Sequence, residues 1–220
     1  MTRTLTDDGK DTRMAGTPHL HYPGSTTPRG PEDLYTSPPP WDIGRPQPAF
    51  LTLAEAGAIQ GRVLDVGCGT GEHVLMCAAL GLDATGVDLA SVALRSAEEK
   101  GRDRGLTARF LLWDARHLAG LGEPFDTVLD CGLFHIFNDD DRTAYVGSLR
   151  SVLEPGGRYY MLCFSDQQAG EWGRVHKVTQ DEIKASFAEG WRVDSIEPAT
   201  IDIATDPYGI RAWLVALTMS

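Results

Sequence analysis

From Ala49 to the C-terminus the apolar positions change spacing repeatedly along the chain. In some stretches they fall three to four apart, the mark of one helix face; in others they run together, the mark of a strand buried on both sides. On this pattern residues 50–59 form a helix, 63–66 a strand, 67–71 a turn, and 72–80 a helix stopped by Gly81, which suits a C-terminal cap. Strands follow at 85–87, 109–112 and 127–131, and the helix over 91–104 is expected to take Ser91 as its N-cap. A helix over 138–153 ends at Pro155-Gly156-Gly157 and leads into a strand over 158–164. A last helix, 179–187, opens on Thr179, and strands at 191–196 and 212–217 close the chain. Strand and helix thus alternate five times before a final strand pair too closely spaced for a crossover helix. The expected fold is α/β: a doubly wound, mostly parallel sheet with one antiparallel strand near the C-terminus.

Residues 1–40 break this pattern. Seven of the 13 prolines lie there, among Thr, Gly and Asp, with few aliphatic side chains. Such a stretch cannot offset its ordering entropy by burial, so residues 1–30 read as a disordered tail whose His19 and His21 are incidental. Residues 31–48 read as a separate covering segment, and 49–220 as a single domain, in keeping with a length of 220 residues. With 20 basic against 31 acidic residues the net charge is −11, and there is no long basic run, which argues against a nucleic-acid partner. Cys68, Cys77, Cys131 and Cys163 are dispersed and form no CxxC pair, the usage of a reducing compartment without disulfides or zinc. With no apolar run of about 20 residues and no signal-like N-terminus, the expectation is a cytoplasmic protein with no membrane partner.

The chemistry concentrates in Val63-Leu64-Asp65-Val66-Gly67-Cys68-Gly69-Thr70-Gly71-Glu72, a strand entering a glycine turn and then a helix. A dinucleotide-binding turn needs G-x-G-x-x-G with pyrophosphate at the helix start. Here the spacing is G-x-G-x-G, with Glu72 where the third dinucleotide glycine would stand. Glu72 and Asp65 both disfavour a phosphate, while Asp65 suits an ammonium group. Asp88, ending the second strand, suits the two ribose hydroxyls. The residues therefore call for a nucleoside with a cationic, phosphate-free tail.

Together with Trp113-Asp114-Ala115 after the third strand and Leu153-Glu154-Pro155-Gly156-Gly157 before the fifth, this turn resembles that of the class I S-adenosylmethionine-dependent methyltransferases. The resemblance covers roughly residues 41–220 and implies a seven-stranded Rossmann-like sheet binding S-adenosylmethionine and releasing S-adenosylhomocysteine. By it, Gly67, Cys68 and Gly69 pass under the methionyl part, with Asp65 and Gly71 in the same motif. Asp88 holds the ribose, and Leu89 and Ala115 flank the adenine. Asp114 accepts from the adenine amine or, alternatively, caps a helix; Asp130 and Cys131 complete the cofactor set at the end of the fourth strand. Pro40-Trp41-Asp42-Ile43-Gly44-Arg45-Pro46-Gln47-Pro48 is similar to the segment folded over the cofactor in thiopurine, thiol and halide methyltransferases. This implies that Trp41 docks there and that Arg45 either pairs with the methionyl carboxylate or bridges to a surface acid. The stretch 173–178 is similar to an insertion after the fifth strand in the halide and thiol enzymes.

For the acceptor, His135 after the fourth strand is the candidate base or orienter, and His176 in the insertion is the second catalytic candidate. Phe134, Phe137 and Trp172 either wall an acceptor pocket or pack the core. Asp139-Asp140-Asp141 reads as the acid-rich first turn of a helix rather than a metal site. The expected activity is methyl transfer to a small molecule by a monomer or homodimer. A thiol is the preferred acceptor and a phenol, quinol or heteroaryl nitrogen or oxygen the alternative. A nicotinamide-dependent oxidoreductase and a catalytically idle cofactor-binding regulator are the competing readings.

Overall fold

The computed structural model describes residues 30–170 and 175–220 of the chain; His19, His21 and Trp172 lie outside the described residues. The strands are β1 (Arg62–Val66), β2 (Asp83–Asp88), β3 (Arg109–Leu112), β4 (Phe125–Cys131), β5 (Leu153–Phe164), β6 (Trp191–Ile203) and β7 (Asp206–Met219). They form one sheet in the order β3-β2-β1-β4-β5-β7-β6. The first five run parallel, β7 is antiparallel to both its neighbours, and the expected doubly wound sheet is the one observed. The helices are α1 (Pro48–Glu55), α2 (Glu72–Ala79), α3 (Ser91–Asp103), α4 (Asp139–Arg150) and α5 (Gln180–Ser186). Because β1 and β4 lie in the middle of the sheet, both faces must be covered. One apolar cluster gathers Tyr145, Tyr159, Phe187 and Trp213, and a second gathers Phe50, Val74, Leu129 and Leu162.

Three elements depart from the expectation for reasons that involve distant residues. Ser91 is the first helical residue of α3 rather than its cap; Ala90 holds the cap position, and the carboxylate of Glu32, 59 residues away, accepts from the N–H groups of Ser91 and Val92. Helix α4 stops at Arg150, and Pro155-Gly156-Gly157 sits inside β5. There Phe125 pairs with Leu153 and Thr127 with Arg158, so the intervening residues bulge out of the ladder. The β6–β7 hairpin extends well beyond the two strands expected. The interruptions by Pro198 and Asp202 blunt the apolar pattern, but β6 is an edge strand, where a proline leaves no ladder partner unpaired. The hairpin carries its tip back over the carboxyl ends of the parallel strands.

Candidate active site

The turn after β1 is built on left-handed glycines, Gly67 at φ 68° and Gly69 at φ 53°, a conformation that disfavours any residue with a Cβ. A Cβ on Gly69 would also stand 2.8 Å from the Tyr35 hydroxyl, which would have to shift. The turn is tied to β2 at two levels. Gly67 and Cys68 donate N–H bonds to the Val87 carbonyl, and the Asp88 carboxylate accepts from Gly69 N at 2.8 Å and Ala90 N at 2.8 Å. Burial pushes the Asp88 carboxyl up, against the pull of those two N–H groups. Its orientation is thereby set at the mouth of a cavity of about 1010 Å³, within the upper reach of small-molecule sites and roomy enough for two ligands side by side.

Trp41, Arg45, Gly67, Cys68, Gly69, Asp88, Leu89, Asp114, Ala115, Cys131, His135 and His176 all line this cavity. Asp65, Gly71 and Asp130 do not. A Cβ on Gly71 would meet Ala97 at 2.7 Å and Phe110 at 2.8 Å, so this glycine lets the start of α2 pack against α3 and β3. Asp130 points into the core: its Oδ2 accepts from the hydroxyls of Tyr145 and Tyr159, each at 2.8 Å, and its Oδ1 from Leu133 N at 2.8 Å. These bonds tie Asp130 to α4, β5 and the start of the loop that carries His135. Asp65 is almost fully buried behind the turn, and its Oδ2 has no hydrogen-bond partner. His73, a cavity residue that sequence reasoning overlooked, takes the N–H of Gln47 on Nε2 and so carries its proton on Nδ1, 3.7 Å from Asp65 Oδ2.

Several charges singled out in the sequence are answered within the protein. Glu72 binds Lys100 at 2.8 Å and Arg104 at 2.8 Å, so its negative charge is neutralised by α3 and does not by itself turn a phosphate away. The charge argument rests instead on Asp65 and Asp88. Asp114 caps a 3-10 segment, accepting from Arg116 N, and also pairs with the Arg116 guanidinium at 2.6 Å, which reaches on to Asp141 at 2.5 Å. Burial alone would raise the Asp114 carboxyl, but the Arg116 contacts bring it below its usual range. Of its two readings, the cap is the one the structure displays. Arg45 pairs with Asp202 at 2.7 Å, the surface-acid alternative, rather than presenting an unpaired guanidinium. The aspartates at 139–141 form the first turn of α4.

Residues 31–47 cross the top of the cavity as a strap anchored at both ends. At one end Glu32 caps α3. At the other, the Gln47 side chain exchanges two hydrogen bonds with the Asp202 main chain, at 3.0 and 2.8 Å, and Pro40 O accepts from Ala204 N at 2.7 Å. His135, which lines the same cavity as Asp88, is buried against the Phe164 ring with centroids 4.3 Å apart. Its Nδ1 accepts the Phe164 N–H at 3.2 Å, which leaves the single proton of the neutral ring on Nε2. Burial pushes its pKa down to about 3, with His176 and Arg142 adding in the same direction. In its neutral form the His135 ring is therefore a hydrogen-bond donor through Nε2. His176 Nε2 lies 2.7 Å from Glu182, which also closes the capping box of α5 with Thr179. Phe134 is core and Phe137 lines the cavity from its buried position. Burial pushes the Cys68 and Cys131 thiols well up, so neither is a nucleophile at neutral pH.

A glycine cradle, an oriented ribose-type acceptor and a buried carboxylate oxygen lacking a donor together fit a nucleoside bearing a cation. The comparisons agree. A family model described as a methyltransferase domain matches residues 63–157. The chain is 36% identical over 166 residues to a 2-heptyl-1-hydroxyquinolin-4(1H)-one methyltransferase of Mycobacteroides abscessus, covering 74% of this chain and 73% of that one. It is 29% identical over 154 residues to a probable thiol methyltransferase of Arabidopsis thaliana, 66% of this chain and 65% of the relative. A solved structure described as "Conversion of a Disulfide Bond into a Thioacetal Group during Echinomycin Biosynthesis" superposes with a TM-score of 0.75 at 38% identity, over 83% of this chain and 85% of that one. The chain belongs to the class I S-adenosylmethionine-dependent methyltransferases, with S-adenosylmethionine as its methyl donor. Among the described residues no helix is long and apolar enough to cross a membrane.

The Asp130 environment yields a stability test. Burial lifts this carboxyl to about 6, above the ~3.9 of an unfolded chain, so folding favours its protonated form. Its contribution to stability is full below about pH 4 and fades as the pH rises through 6. Asp130→Asn places an amide N–H₂ among groups that already donate, and we expect a loss of about 1–3 kcal/mol at pH 7. Urea denaturation from pH 4 to 7 should also show a flatter pH dependence in the variant than in the wild type; parallel profiles would contradict this assignment.

Proposed function

We propose that the chain methylates a heteroatom of a small aromatic or heteroaromatic acceptor that arrives already ionised, a thiolate first. The observation that carries this reading is the hydrogen bond from Phe164 N to His135 Nδ1, which leaves the buried histidine beside the cavity without a lone pair to accept a proton. S-adenosylmethionine supplies a methyl group made electrophilic by its sulfonium. What the chain supplies is orientation and dryness. The Asp88 carboxylate and the Gly67–Gly69 backbone seat the donor, and His135 Nε2–H is placed to hold the acceptor heteroatom. The strap keeps water away while an anion and a cation neutralise each other, a step that a low-dielectric enclosure favours. A thiolate exists near neutral pH without a base, unlike an ordinary phenol or ring N–H. The relatives lend support to both kinds of acceptor: a probable thiol methyltransferase on one side and a methyltransferase of a hydroxyquinolone, a heteroaromatic, on the other.

A second reading is favoured by one specific contact. Glu182 at 2.7 Å from His176 Nε2 holds the ring proton there and leaves Nδ1 as an acceptor on a cavity-lining residue. An N-hydroxy heteroaryl or phenolic acceptor would use that pair to lose its proton.

Two measurements test these assignments. By calorimetry, S-adenosylhomocysteine should bind and NADH give no heat, and Asp88→Asn should weaken the former roughly tenfold or more, the scale of a hydrogen bond to a charged group. With an aryl thiol as acceptor, kcat/KM should follow thiol ionisation; His176→Ala should leave the profile in place, and His135→Phe should lower it about tenfold without shifting it. A neutral-pH loss in His176→Ala that recovers at high pH would instead assign proton abstraction to the His176–Glu182 pair.

A further inference from the structure

The tip of the β6–β7 hairpin contributes three isoleucines to the cavity. Ile201 and Ile210 are paired across the strands, and Ile203 is on the same face near the turn. Ile43 of the strap lines the cavity as well, and Phe164 ends β5 beside them. Ile201 and Ile210 are each only 3% exposed and form the packed base behind this part of the cavity, while Ile43 and Ile203 are half-buried and present the surface an entering group would touch. In the strand order, β7 lies four positions from β2, which carries Asp88, so a nucleoside seated there leaves this end of the space to something else. The wall is also held in position: Asp202, between two of the isoleucines, is fastened to Gln47 through both its N–H and its carbonyl and to Arg45 through its carboxylate. A β-branched wall of this kind offers a group entering it apolar contact along its whole length.

We propose that Ile201, Ile203, Ile210 and Ile43 form an apolar subsite for an alkyl or aryl substituent of the acceptor, and that this subsite sets which acceptors are taken. The inference deepens the functional reading above and rests on it for the identity of the acceptor, but binding alone can test it. The test uses a series of para-alkyl thiophenols from methyl to hexyl, titrated into the full chain loaded with S-adenosylhomocysteine so that no turnover is required. In the wild type, affinity should rise about threefold to fourfold per added methylene, the increment for burying one, until the subsite is full. Ile203→Trp, at a half-buried position, should remove that gain for butyl and longer chains and leave the methyl compound unaffected. Ile210→Ala should extend the rise by a further methylene or two. S-adenosylhomocysteine affinity should be the same in all three proteins.

A flat response in the wild type overturns the proposal. So does an Ile203→Trp variant whose S-adenosylhomocysteine affinity falls while its chain-length profile is kept, since the isoleucines would then face the donor. If the chain-length rise is present in binding but no thiophenol is methylated with S-adenosylmethionine, the subsite stands and the thiol reading falls.

Discussion

Three carboxylates stand at the carboxyl ends of three adjacent strands, Asp65 on β1, Asp88 on β2 and Asp130 on β4; Asp65 and Asp130 are buried and Asp88 is half-buried at the cavity. Burying a carboxylate is costly unless donors surround it, and like charges on neighbouring strands add to the cost. The structure answers each in a different way. Asp130 is met by two tyrosine hydroxyls and the backbone of its own loop, which makes it a fastening for β4, α4 and β5. Asp88 is met by backbone N–H groups on either side, which hold it in place while leaving its remaining lone pairs directed to the cavity. Asp65 is met by much less: one oxygen has only the edge of an imidazole at 3.7 Å. A site that leaves a buried anion so nearly unanswered is more stable with a cation nearby, and the family's donor is one.

The same edge of the sheet explains the strap. Loops after parallel strands all emerge on one side, so a cavity there is open unless something outside the alternating pattern covers it. Residues 31–47 do so, and they are not held by apolar burial alone. Glu32 completes the N-terminus of α3, where orphan N–H groups and the helix dipole both favour a carboxylate, and Gln47 completes the otherwise unpaired main chain at the hairpin tip. Each anchor satisfies a backbone group that the domain would otherwise leave to water. The strap and the domain therefore stabilise one another, and the Glu32 anchor, made through exposed groups, is the weaker of the two.

What could be read from the sequence follows from the range of the interactions involved. Helix and strand positions depend on local periodicity, and the seven strands fell where apolar runs stood, with errors at the bulge in β5 and along the edge hairpin, where polar residues interrupt the pattern. The glycine turn and Asp88 were legible because a backbone that must turn sharply leaves a residue-level mark. What escaped were pairings made across tens of residues. Glu72 looks like an unpaired acid until Lys100 and Arg104 are brought to it by α3. Asp114 looks like an unpaired acid until Arg116 folds back on it. His73 carried no signal at all, since nothing in its neighbours along the chain announces that Gln47 and Asp65 will fix its tautomer.

His135 shows why this matters for mechanism. A histidine at the end of a central strand next to a substrate cavity invites the role of base, and its residue type and location are both compatible with it. One main-chain N–H from the neighbouring strand reverses that role by occupying the nitrogen that would accept the proton. Burial reinforces the outcome, because a ring that cannot be protonated at neutral pH keeps its one N–H and goes on donating. In the function proposed for the chain, selectivity for ionised acceptors then requires no catalytic group to enforce it. On that proposal, an acceptor that still carries its proton meets a donor where it needs an acceptor, whereas an anion meets a partner, and the difference is built into the backbone of β5.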